Sequence, residues 1–63
     1  MKYTLKQWRM LRGMTRKELA EAIGKSETTI WHWEKGHSER RPSEVEALRE
    51  ALDLKKSDVI ILP

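Results

Sequence analysis

Apolar residues recur at helical spacing in four stretches of the chain: Leu5 and Trp8; Leu19, Ala20 and Ile23; Ile30 and Trp33; Val45, Leu48 and Leu52. Polar residues fill the intervals, and a repeat near 3.6 residues marks the stripe by which an amphipathic helix meets a core. Each stretch is punctuated. Gly13 follows Leu5 to Arg12, Gly24 follows Arg16 to Ile23, and Gly36 follows Glu27 to Lys35. Glycine is favoured just past a helix end because it enters the left-handed conformation without a Cβ penalty. The starts are marked as well: Thr4 with Gln7, Thr15 with Glu18 and Ser43 with Glu46 have the spacing of a capping box, in which hydroxyl and acid or amide serve each other's backbone N–H groups. Ser26 is a fourth N-cap, without the acidic partner.

Four short helices are therefore predicted. A fifth is expected from about Ser57 to Leu62, with an edge strand as its alternative, because Val59, Ile60 and Ile61 are β-branched and form a continuous apolar run. No strand alternation is visible earlier and there is no internal repeat. His37 to Pro42 reads as a loop, in which Glu39, Arg40 and Arg41 precede a helix-breaking proline.

Composition narrows the function classes. A chain of 63 residues forms one domain at most, here expected to span 1–63. Such a chain buries only about 60% of the surface exposed on unfolding, which argues against a deep catalytic cleft. Without cysteine there is no disulfide framework and no thiolate metal site. His32 and His37 are five apart with no third ligand in view, Ser26 and Ser43 read as caps, and no nucleophile has a base at evident spacing. Neither an enzyme, a metal nor a cofactor is expected. No run approaches the roughly 18 apolar residues of a membrane span, and the amino end lacks the pattern of a signal peptide, so a cytoplasmic protein is expected. The net charge of +3 is modest, but residues 1 to 41 hold ten Lys or Arg against five Asp or Glu, and residues 42 to 63 hold three against five. A basic first part suits a polyanionic partner. A lysine-rich soluble surface accounts for the charge equally well.

From Thr15 to Gly36 the chain reads TRKELAEAIGKSETTIWHWEKG, two helices joined across Gly24, Lys25 and Ser26. That is the short connection of a helix-turn-helix. Ala20 is small enough for a close crossing, Gly24 permits the turn, and Leu19, Ile23, Ile30 and Trp33 fill the angle between the helices. Trp31 and Trp33 lie about 200° apart on a helix, so they cannot share a face. Any two capped amphipathic helices show part of this pattern, which leaves DNA binding as one possibility among several.

The letters themselves go further. ELAEAIG, then S-x-T-T-I and W-E-K-G, resemble the phage repressor and Cro type of helix-turn-helix, the XRE family. LKQWRMLRGMT is similar to that family's first helix and RPSEVEALREALDLKKSDV to its fourth and fifth, so the likeness covers nearly the whole chain. It implies an all-α, compact five-helix bundle of the lambda-repressor-like type with the helix-turn-helix at residues 16–35. The function implied is sequence-specific binding of double-stranded DNA by a transcriptional regulator, most simply a repressor. The third helix would lie in the major groove, where all four base-pair orientations are distinguishable, and the second would cross the phosphates.

The likeness assigns base reading to Glu27, Thr28 and His32, with Thr29 and Trp31 nearby. Glu27 would accept from a cytosine amino group, Thr28 would bond a base edge or touch a thymine methyl, and His32 would donate to guanine. Against this, Glu27 also suits a helix N-terminus and His32 an exposed helix position. Trp33 matches a core position, which turns Trp31 outward, to the groove or to a partner, with a DNA contact preferred over a plain surface aromatic. Phosphate contacts fall to Thr15, Arg16, Lys17, Ser26, Lys35, Arg40, Arg41 and Ser43, and Arg9 with Glu34 matches a structural ion pair between the first and third helices. Val59, Ile60, Ile61 and Leu62 would form a homodimer interface, giving a palindromic operator. The chain departs from the family at Lys25, usually apolar, whose stem is expected over the core with its ammonium in solvent. It departs also at Met10 and Leu11, usually charged. A competing reading keeps the fold as a protein-interaction module using Trp31, Met10 and Leu11.

Overall fold

Three of the predicted helix starts form by the bonds their spacing requires. Thr4 and Gln7 exchange backbone-to-side-chain bonds of 2.9 and 3.2 Å and begin α1 (Leu5–Leu11). Thr15 and Glu18 do the same at 2.9 and 3.0 Å and begin α2 (Arg16–Ile23). Ser26 Oγ accepts from the Thr29 N–H at 3.2 Å and begins α3 (Glu27–Lys35). Gly13, Gly24 and Gly36 have φ of 68, 70 and 74°, the left-handed conformation that ends a helix.

The fourth start differs from expectation. α4 (Pro42–Ala51) begins before Ser43, with Pro42 in its first turn and Arg41 as N-cap. Glu44, not Glu46, closes the box by accepting the Arg41 N–H at 2.7 Å. Proline here opens the helix: its missing N–H is one the first turn could not have used, and its φ is already helical.

The computed structural model describes residues 1–61, which hold four helices and two strands. The expected five-helix, all-α bundle is corrected on that point. In place of a fifth helix stands β2 (Val59–Ile61), and it pairs in parallel with β1 (Lys2–Thr4) in the register Lys2 to Val59, Tyr3 to Ile60 and Thr4 to Ile61. The β-branched run decides for extended backbone. Further bonds fix the pairing: the Val59 N–H donates to Met1 O at 2.8 Å, and Trp8 Nε1 donates to Val59 O at 2.9 Å. Leu62, placed in the expected fifth helix, lies outside the described residues.

Leu5, Trp8, Leu19, Ala20, Ile30, Trp33, Leu48 and Leu52 form the core, drawn from all four helices. Tyr3 meets Trp8 edge-on at 5.0 Å, which packs the sheet against α1. Two arginines secure the carboxyl end. Arg12 Nε donates to Leu52 O at 2.7 Å, and Arg49 donates to Asp58 O at 2.7 Å and Lys55 O at 2.6 Å. Asp53, just past α4, holds φ of 53° without being glycine. Among the described residues no helix is long and apolar enough to cross a membrane.

Candidate nucleic-acid interface

The turn between α2 and α3 determines where the third helix points. Ala20 on α2 is buried, and the Lys25 N–H returns to Ala20 O at 2.9 Å behind left-handed Gly24. Extended Ser26 then launches α3, its hydroxyl also 2.9 Å from Thr29 Oγ1. Lys25 is exposed, and its ammonium lies 3.0 Å from Glu44 Oε2 at the surface. This pair sets the first turn of α4 beside the turn. The Arg41 N–H, and then Lys25, hold the Glu44 carboxyl below the ordinary glutamate range.

On α3, Ile30, Trp33 and Glu34 face inward. Glu27, Thr28, Trp31 and Lys35 are exposed, while Thr29 and His32 are half-buried. The two tryptophans thus divide: Trp33 is core, and Trp31 keeps 38% of its surface in contact with solvent. Trp31 is not loose. His32 and His37 abut its ring edge-on at 5.1 and 5.6 Å, and Lys35 Nζ stands 5.9 Å from its centroid. His37 reaches this position because Gly36 turns the chain back, and its N–H donates to His32 O at 2.9 Å. An open groove of about 270 Å³, lined by Arg16, Glu27, Thr28 and Trp31, runs from the start of α2 to the outer face of α3.

Beneath that face lies a three-membered charge cluster. Arg9 Nε is 2.6 Å from Glu34 Oε2, Arg9 Nη1 donates to Met14 O at 2.8 Å, and Arg16 Nε is 3.0 Å from Glu34 Oε1. The Glu34 side chain is only 1% exposed, and each of its oxygens has a guanidinium partner. The second of these ion pairs was not foreseen. Arg16, assigned to phosphate, is anchored by its Nε and is one of the residues lining the groove. No spacing rule links positions 16 and 34, so the pairing carries no local signal.

The remaining residues assigned to phosphate separate by exposure. Thr15, Lys17, Ser26, Lys35, Arg41 and Ser43 are exposed, and the first three sit at the N-termini of α2 and α3. Arg40 differs: it is half-buried, its Nη1 is buried without a partner, and desolvation holds its guanidinium below the ordinary arginine value. Among the residues assigned to a dimer, Val59 and Ile61 are exposed at 40 and 39%, whereas Ile60 packs on the core. Met10 and Leu11 are exposed on α1, and Leu11 shares a separate small groove with Tyr3 and Gln7. No group of three or more metal-ligating side chains occurs among the described residues.

A family model described as helix-turn-helix matches residues 5–59. No curated protein and no solved structure matches the chain. The matched span runs from the first residue of α1 into β2 and includes the whole α2–turn–α3 unit. With capped helices, a left-handed glycine in the turn and a solvent-facing third helix, this chain belongs to the helix-turn-helix family of the phage repressor and Cro type, a family of DNA-binding domains.

Proposed function

We propose that the protein is a sequence-specific regulator of transcription, acting in the cytoplasm as a repressor, which sets α3 in the major groove of a palindromic operator as a homodimer. The observation that carries this reading is the outer face of α3. It offers Glu27, Thr28, Trp31 and His32 at a surface flanked by the N-termini of two helices and by Lys17 and Lys35. Helix N-termini present free N–H groups and a partial positive charge to phosphate, and these position without reading. Side chains on the outer face of α3 then meet base edges, where sequence is legible. Arg41 and Ser43 extend the phosphate set from the start of α4. Val59 and Ile61 supply the apolar contact between protomers.

Selection of bound duplexes from a random pool tests this reading. A two-fold symmetric site, with half-sites about one helical turn apart, is the expected result. Affinity should fall steeply with salt, log K against log salt having a slope near −0.9 per phosphate contacted. Absence of any enriched sequence, or salt-independent binding, overturns it. Sedimentation at high protein concentration tests the dimer, and a strict monomer that occupies a lone half-site refutes that part. A protein-interaction module built on Trp31, Met10 and Leu11 is less well supported, because Trp31 and Leu11 line different grooves.

A further inference from the structure

Glu27 has the wrong charge for a surface that meets a polyanion. It is exposed at the first position of α3. The ion pairs of the described residues go instead to Asp58, Glu34 and Glu44. A carboxylate pressed among phosphates is costly unless it accepts a hydrogen bond there. In the major groove the base donors are the amino groups of cytosine and adenine. Adenine sets its N7 acceptor beside the amino group, which repels a second carboxylate oxygen. Cytosine sets the C5 carbon there instead.

The groove matches what lies beside that amino group. Trp31 is four residues from Glu27 and therefore its neighbour on one helix face, and both line the groove together with Thr28. The indole is flanked by Lys35 and two imidazoles, and it stands as an apolar wall of the groove without any ligand present. Arg16, paired with Glu34, also lines the groove and brings positive charge suited to a phosphate. An acceptor next to an apolar wall complements an amino group next to a methyl. Thymine has the methyl but presents O4, an acceptor, to the carboxylate. Unmodified cytosine has the amino group but leaves the wall uncovered. We infer that the Glu27–Thr28–Trp31 groove reads 5-methylcytosine in duplex DNA, an assignment that rests on α3 entering the major groove as proposed above.

Two random duplex pools, one made with cytosine and one with 5-methylcytosine, are taken through the same selection. The enriched duplexes are then titrated with cytosine, 5-methylcytosine or thymine at each position in turn. At one position per half-site the methylated base should bind about fourfold tighter than cytosine, the effect of burying one methyl group, and thymine should bind worst. Trp31→Ala should remove the methyl preference and keep the preference for an amino-bearing base. Glu27→Gln should let thymine bind as well as methylated cytosine, because an amide can donate to O4. If Glu27 only stabilised the helix N-terminus, that substitution would lower the melting temperature and leave the base ranking intact. Equal affinity for cytosine and 5-methylcytosine at every position overturns the inference while leaving DNA reading in place. Enrichment from neither pool removes both.

Discussion

Glu34 shows how far one side chain can govern a reading surface. Its carboxylate is buried, and it draws Arg9 from α1 and Arg16 from the start of α2 onto α3. Removing one partner of a buried ion pair leaves charge without compensation, at about 3–5 kcal/mol. Glu34→Ala should therefore lose about that much in urea unfolding. Arg16→Ala should cost far less, because the Arg16 side chain remains 32% exposed and water replaces much of what is lost. The two variants would separate orientation from stability, since Arg16→Ala still folds and can be titrated with DNA. Asp53 is the opposite case, a residue at odds with its backbone. It holds a left-handed φ and sets a negative charge by the carboxyl end of α4, where the helix dipole is also negative. Asp53→Gly should raise stability by about 0.5–1 kcal/mol, seen as a melting temperature higher by about 4 °C.

At the scale of elements, α1, α2 and α3 were legible because their limits are set locally, by residues three apart at the start and one glycine at the end. α4 was misread by two residues. Ser43 and Glu46 have capping-box spacing, but Pro42 carries a helical φ and Glu44 reaches the Arg41 N–H, so the earlier start prevails. β1 gave no signal: three residues, Lys2 to Thr4, are too few for an alternation, and their partner lies at the other end of the sequence. The anchoring of Arg16 escaped for the same reason. The caps also set the acid behaviour of the fold. Glu18 is held below the ordinary range by the Thr15 N–H and hydroxyl, Glu44 by the Arg41 N–H and then Lys25, and Asp58 by the Lys55 N–H and then the Met1 amino group. Each folded-state value is depressed, so each contributes stability that is complete above the unfolded value, 4.5 for the glutamates and 3.8 for Asp58, and is lost as pH falls through the folded value. Thermal melts should accordingly be level above about pH 5 and decline below about pH 4.5, and Glu18→Gln should flatten part of that decline.

Over the described residues as a whole, a core drawn from the four helices and from Leu52 at the end of α4 leaves α3 half inside and half outside, and everything proposed for its outer face depends on that core holding it at a fixed angle. The sheet belongs to the same arrangement, because Trp8, buried beneath Tyr3, also donates to Val59 O. Its two strands come from opposite ends of the sequence, and this has a temporal consequence. Contacts between α2 and α3 close short loops, whereas β1 and β2 meet only after nearly the whole chain has been looped, an entropy loss that must precede any reward from the pairing. The helix pair should thus assemble early and the sheet last, and the sheet should open first in the native state. Hydrogen exchange gives the order directly: the Val59 amide, bonded to Met1 O, should exchange well before the Lys25 amide, bonded to Ala20 O. The two ends of the chain act as a late latch, closing on a reading unit that has already taken shape.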